Sequence, residues 1–204
     1  MDKDKLINNL QKKGYKVEYF DTSKEAVKFM TDSMSGKTIG IGGSMTVKEI
    51  GLDTALAENN TVYWHWLPEQ IQKFGSQKSV KDMAQTTEIY ISSANAVAET
   101  GQIVNIDGSG NRISSISYGH EKVYFIVGIN KIAKNLDKAI WRARNIAAPL
   151  NAQRLNKKTP CSKSADKCYD CSSPERICNG FLILERPISG MEMTVILVNE
   201  NLGA

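Results

Sequence analysis

The chain has 204 residues, 41% of them hydrophobic and 24% charged, with a formal net charge of +4 at pH 7. That length suits one large domain, or one domain with a small appendage, able to bury a core without disulfides. The net charge by itself decides little, and no nucleic-acid partner is expected because such binders show a strongly basic face with stacking aromatics, whereas here the excess is local. No stretch approaches the ~18 apolar residues of a membrane span; the polar start MDKDKLINNLQKKGYK lacks a signal-peptide core, so a cytoplasmic protein with reduced cysteines is expected.

Residues 2–13 place Leu6, Ile7 and Leu10 on one helical face and stop at Gly14. Val17–Phe20 predicts a short strand. Ser23 then predicts an N-cap for a helix that turns Ala26, Val27, Met30 and Met34 towards the core and ends near Gly36. Thr38–Gly42, short and apolar between turn residues, predicts a buried parallel strand. Residues 46–59 are helical with a break near Gly51, Val62–Trp64 is a strand, and Pro68 suits the first turn of the next helix. Another helix covers Val80–Thr86, and strand Ile89–Ser92 feeds the small, polar segment Ser93–Gly101. Ile103–Ile106 and Arg112–Ile116 flank Asp107-Gly108-Ser109-Gly110-Asn111, which predicts a hairpin with a five-residue loop. Val123–Val127 is a strand, and Asn135 caps a long helix reaching Arg154, which Pro149 should kink or end. Residues 156–180 show neither helical nor strand periodicity; Phe181–Leu184 and Thr194–Val198 are the last strands. The alternation predicts one α/β domain over residues 1–204, its mostly parallel sheet covered on both faces and carrying an inserted antiparallel hairpin.

Two segments have the composition of a ligand cleft. Gly40-Ile41-Gly42-Gly43-Ser44-Met45-Thr46 runs from strand through glycines into a helix, and Thr46 to Glu49 has capping-box spacing. Backbone N–H groups there, with the Ser44 and Thr46 hydroxyls, suit a small anion such as a phosphate or carboxylate. A tight turn with glycines used for packing is the competing reading. The segment lacks both the GK[ST] ending of a P-loop and the GxGxxG spacing of a dinucleotide site, so no nucleotide cofactor is predicted. Ala98-Glu99-Thr100-Gly101 carries one carboxylate among small residues; Glu99 is a candidate base or nucleophile, or else a helix cap or ion-pair partner. His65 lies just beyond a strand and His120 just before one, and each is a candidate against the commoner structural histidine.

Gly42-Gly43-Ser44-Met45-Thr46 with Glu49-Ile50-Gly51, then Ala98-Glu99-Thr100-Gly101, then His120 before Val123–Gly128, resemble in their order the segments of the lactate-utilisation (LUD) domain family. The Cys168–Cys178 stretch is similar to that of one branch of short LUD proteins. The resemblance covers roughly residues 5–200. It implies a three-layer α/β sandwich similar to the ribose-5-phosphate isomerase and CoA-transferase group, with the ligand beside Gly42–Thr46, Thr100 and Gly101. It also implies a role in bacterial L-lactate oxidation to pyruvate beside iron–sulfur oxidoreductase partners. The alternative is a stand-alone enzyme on a phosphorylated or CoA-like substrate, with Glu99 as the reactive carboxylate.

Cys161, Cys168, Cys171 and Cys178 follow C-x6-C-x2-C-x6-C, with every cysteine of the chain inside eighteen residues. Their loop is too polar to bury four thiols as hydrophobes. Four thiolates from one loop can surround a [4Fe–4S] cluster or, alternatively, a tetrahedral zinc; a redox dithiol at Cys168/Cys171 is a third use. Between Arg142 and Cys178 eight basic residues (Arg142, Arg144, Arg154, Lys157, Lys158, Lys163, Lys167, Arg176) face three acids (Asp166, Asp170, Glu175), a balance suited to an anionic cluster or to a solvated face.

Overall fold

A computed structural model describes residues 2–204 of the chain. Its first half runs α1 (Lys3–Lys12), β1 (Lys16–Phe20), α2 (Ser23–Asp32), β2 (Thr38–Ile41), α3 (Met45–Glu49), α4 (Leu52–Ala57), β3 (Thr61–Trp64), α5 (Pro68–Phe74), α6 (Gln77–Ala84) and β4 (Ile89–Ser92). The second half adds β5 (Ala96–Ala98), β6 (Ile103–Asp107), α7 (Asn111–Ser117), β7 (Lys122–Gly128), β8 (Ile132–Ala133), α8 (Leu136–Arg142), α9 (Ala148–Arg154), β9 (Gly180–Leu184) and β10 (Glu192–Val198).

Six strands form the main sheet in the order β1-β10-β7-β4-β2-β3, and every neighbouring pair is parallel. A parallel sheet covered on both faces needs strands apolar on both sides. Val123–Gly128 of β7 and Met193–Val198 of β10 are accordingly buried throughout. One face packs Ile39, Ile41, Ile126 and Ile196 against Met30 of α2, Val47 of α3, and Leu52 and Leu56 of α4. The other packs Tyr90, Phe125 and Val195 against Leu6 and Leu10 of α1, Ile116 of α7, and Val97, Ile103 and Leu184 of a second sheet. Leu10 is fully buried, so Leu10→Ala removes about 2–5 kcal/mol of stability.

The second sheet has the order β8-β5-β6-β9. Its outer side is closed by Ala139, Ala143 and Ala148, small residues that let the α8–α9 helix approach Ala96, Ala98, Val104 and Ile106 closely. A π-helical turn, Ala143–Ala147, joins α8 to α9. Pro149 therefore sits in the first turn of α9, where its missing N–H is tolerated, and the helix carries on past it.

The expected α/β architecture with a parallel main sheet is present, but the antiparallel hairpin is not where the sequence predicts it. β6 pairs antiparallel with β5 on one side and β9 on the other, while residues 111–117 are helical. Ile113 and Ile116 are three apart, the spacing of a helical face and not the alternation of a strand. The Asp107 carboxylate starts that helix by accepting from the backbone N–H groups of Arg112 (2.8 Å) and Ile113 (3.3 Å). Two caps also differ. Thr22, not Ser23, caps α2 in a reciprocal box with Glu25, and Ser44, not Thr46, caps α3.

Candidate functional site

Ligands of open parallel sheets collect beyond the carboxyl ends of the strands. There the chain has a cleft of about 480 Å³. Gly43, Ser44 and Met45 follow β2, His65 and Trp66 follow β3, Ser93 to Asn95 follow β4, and Lys131 follows β7, all on its wall. The α8–α9 helix closes the opposite side with Ala147, Leu150, Asn151 and Arg154.

Lys131 is the centre of the site. It is 3% exposed. Its Nζ donates to Thr46 Oγ1 at 2.9 Å and Ser93 Oγ at 3.1 Å, and no carboxylate stands within ion-pair distance of it among the described residues. Burial, reinforced by Arg142 and Arg112 and partly offset by Glu49, pulls its amine down to about 7. An ammonium so placed is stabilised by any anion that enters the cleft.

The glycine loop serves this arrangement more than it binds by itself. Helix α3 has only five residues, and the Ser44 hydroxyl is already engaged by the Val47 N–H at 3.2 Å. A Cβ on Gly42 would stand 2.8 Å from the Tyr90 hydroxyl and 2.9 Å from Arg112 Cγ, so glycine there is what lets Arg112 lie against the loop. Arg112 is held in turn by the Ile106 carbonyl and, at 3.8 Å, by the Asp107 carboxylate. His65 is 7% exposed; burial foremost, then Lys81, lowers its imidazole to about 4, so it is neutral at pH 7. Trp66 stacks on Trp64 at 5.1 Å, and the Arg154 guanidinium lies 5.0 Å from its ring.

Of the residues singled out in the sequence, Gly43, Ser44 and Met45 line the cleft, with Gly42 and Thr46 directly behind them. Glu99, Thr100 and Gly101 do not line it. They form the β5–β6 turn, where the Glu99 carbonyl accepts from Asn9 Nδ2 (2.7 Å) and a Cβ on Gly101 would meet the Asn9 carbonyl at 3.0 Å. His120 precedes β7 and so lies at the amino end of the sheet, away from the cleft; it stacks on Tyr90 at 4.9 Å with Nδ1 2.7 Å from the Thr87 carbonyl. Burial lowers its imidazole pKa as well. Lys131 was missed because nothing near it in sequence marks it; only its place just after a strand could have raised it.

Cys161, Cys168, Cys171 and Cys178 all carry free thiols and all line one small pocket, floored by Ala148, Pro149 and Ala152 of α9 and edged by Arg144 and Arg176. Asp170 takes a left-handed conformation (φ +44°) at the centre of the CxxC turn and donates its N–H to Cys168 Sγ at 3.3 Å. Asn145 of the π turn anchors the loop by accepting from the Cys168 N–H at 3.2 Å. Arg176 donates to the Cys171 and Cys178 carbonyls at 2.7 and 3.2 Å. Burial raises the Cys178 thiol, with Arg176 acting against it. The four residues are of the kind that ligate metals through thiolates, and they line one pocket. Among the described residues, no three Cys, His, Asp or Glu side chains are close enough to hold a single metal ion. No helix among them is long and apolar enough to cross a membrane.

The profile of the LUD domain matches residues 3–198. A crystal structure of a DUF162 family protein from Deinococcus radiodurans is similar over 96% of this chain and 94% of that one, with a TM-score of 0.52 and 9% identity, a likeness of fold alone. Ribose 5-phosphate isomerase A from Neisseria gonorrhoeae aligns over 56% of this chain and 52% of its own, with a TM-score of 0.34 and 20% identity. None of the curated protein sequences compared with the chain matches it.

Proposed function

The chain belongs to the LUD domain family, and from that premise we propose that it is a component of a bacterial L-lactate utilisation system, binding a small anion in the cleft at Lys131. Membership of the family suggests involvement in lactate utilisation; the anion site is the part that rests on this chain's own geometry. The observation that carries it is a buried lysine held by two hydroxyls, with no acid partner among the described residues, facing a cleft. Burying an ammonium is unfavourable unless a counter-charge is supplied, and a carboxylate or phosphate supplies one.

The second part of the proposal is a metal centre at Cys161, Cys168, Cys171 and Cys178, a [4Fe–4S] cluster with zinc as the alternative. These residues would hold it, and an iron–sulfur centre would supply one-electron transfer to partner oxidoreductases. The pocket they share and the N–H donated to Cys168 Sγ support this reading, since such hydrogen bonds to sulfur stabilise thiolate ligands. A stand-alone enzyme using Glu99 gains no support, because Glu99 packs on α1 outside the cleft.

Both parts are tested on protein purified without oxygen. Iron, sulfide and zinc analysis should find stoichiometric metal in the wild type and none in the Cys168→Ser/Cys171→Ser double variant. Calorimetric titration with L-lactate and pyruvate should give binding that Lys131→Met weakens by about 10-fold or more, the value of a lost charge-assisted hydrogen bond. Equal affinity in the variant would remove Lys131 from the site.

A further inference from the structure

The cleft is too large and too basic for a three-carbon acid alone. Its volume of about 480 Å³ lies in the range of roughly 300–1,000 Å³ found for pockets that bury drug-sized ligands, well above a three-carbon acid. A lactate or pyruvate ion, with half a dozen heavy atoms, leaves most of it as solvent. The charge is equally out of scale. Lys81, Arg112, Lys131, Arg154, Lys157 and Arg176 all line the cleft, against one side-chain carboxylate, Asp107. That carboxylate is already used by the N–H groups of Ser109, Arg112 and Ile113 and faces the Arg112 guanidinium. His65, neutral, adds no charge. With Arg112 set against Asp107 and Arg176 against Asp170, the cations Lys81, Lys131, Arg154 and Lys157 still outnumber the charge of one monoanion. The six come from five separate stretches of chain, so their convergence is made by the fold and not by a local basic run.

One part of the wall offers flat and apolar surface, with the Arg154 guanidinium lying 5.0 Å from the Trp66 ring, where a planar ligand group would stack on it or displace it. Trp66 stands beside the exposed Leu150 and Leu155 along the cleft. A ligand that satisfies both parts carries at least two phosphates and a flat or apolar group.

We infer that the cleft binds a ring-bearing diphosphate, of which ADP is the simplest representative, with the phosphates against Lys131 and its neighbouring cations and the ring along Trp66, Leu150 and Leu155. This deepens the anion-binding part of the function proposed above and rests on it, and not on the part concerning lactate. The missing P-loop and dinucleotide fingerprints do not oppose it: those mark backbone cradles at helix starts, whereas here side chains supply the charge.

The test titrates the full-length protein with ADP, pyrophosphate, L-lactate and pyruvate at one fixed salt concentration. Pyrophosphate and ADP should bind at least ~10-fold more tightly than either three-carbon acid, with affinities that fall steeply as salt rises. Lys131→Met, which removes a buried charge and keeps the side-chain bulk, should weaken both phosphates by about 10-fold or more. Trp66→Ala should weaken ADP several-fold more than pyrophosphate, which loses only the ring on which Arg154 rests; an equal loss for both would contradict a ring seated on Trp66. Lys81→Ala and Lys157→Ala, at the rim, provide folded controls and should each weaken pyrophosphate several-fold. Lactate or pyruvate binding as tightly as pyrophosphate, with Lys131→Met abolishing it, overturns this inference and leaves the proposed function standing. Anion affinities untouched by Lys131→Met overturn both.

Discussion

The cleft and the cysteine loop hold their polar groups in opposite ways. Cleft residues arrive from distant parts of the chain, Lys131 lying 85 positions from Thr46 and 38 from Ser93, and the parallel sheet fixes them. The cysteines arrive from one stretch without regular structure beyond a single 3-10 turn, and local hydrogen bonds to Asn145 and from Arg176 hold them. The first is a preorganised site whose geometry the core dictates. The second can rearrange round an occupant with little effect on the sheet. They meet at one place: Arg176 and Ile177 line both pockets.

This contrast is best broken by perturbing one region and reading the other. The largest effect is expected from Gly40→Ala, because the added Cβ would lie 2.3 Å from the Ala84 carbonyl oxygen and must push β2 from α6. Overpacking of this kind is worth about 1–3 kcal/mol, and urea unfolding should show it together with weaker anion binding. Losing stability with full anion affinity would show that the cleft does not depend on the sheet as described. A smaller effect is expected from Cys168→Ser/Cys171→Ser. Metal content should vanish and the loop should become more open to protease, while far-UV circular dichroism stays unchanged because residues 156–179 contribute no strand to either sheet. Collapse of the fold in that variant would make the loop part of the core.

The pH dependence of stability sharpens the cleft side. Lys131 has a folded pKa of about 7 against an ordinary 10.5, so between those values the unfolded chain holds a proton that the folded chain does not. Stability therefore rises with pH through that window, and the full penalty of burying the charge is present below about pH 7. Without ligand, wild type should gain on Lys131→Met as pH is raised from 7 towards 10, measured by urea unfolding of both. A constant difference would mean that Lys131 keeps its ordinary pKa. The smallest effect is expected from Glu99→Gln. Its side chain stands outside the cleft on the β5–β6 turn, so anion affinity should not change; a loss would tie that turn to the site.

What the sequence revealed follows the same division. The C-x6-C-x2-C-x6-C spacing is local, and the structure turns all four thiols to one pocket. The strand-to-glycine transition at Thr38–Gly43 was also legible, since an apolar run ended by glycines has few other uses. Lys131 was not, because a lysine after Ile129-Asn130 looks like any surface lysine until β7 sets it beneath Ser93 and Thr46. The converse holds for Glu99 and His120. Each has a functional residue type near a strand end, but Glu99 sits on the β5–β6 turn, its carbonyl bound by Asn9 of α1, and His120 lies at the amino end of the sheet. Strand direction, which decides between a cleft and its far side, depends on pairings that sequence periodicity does not encode. The misplaced hairpin has the same origin: Ile113 and Ile116 fit a short strand or one helical turn, and the Asp107 carboxylate at the helix start decides.

The central claim is that Lys131 is the cation on which cleft anions are held. It is tested most directly by titrating sulfate, whose charge does not change in this range, into wild type and Lys131→Met at pH 6 and pH 9. Wild type should bind about 10-fold or more weakly at pH 9, as the amine with a pKa of about 7 loses its proton; the variant should bind weakly and equally at both. Wild-type affinity that is the same at the two pH values, or a variant that binds sulfate as well as wild type, would contradict the account.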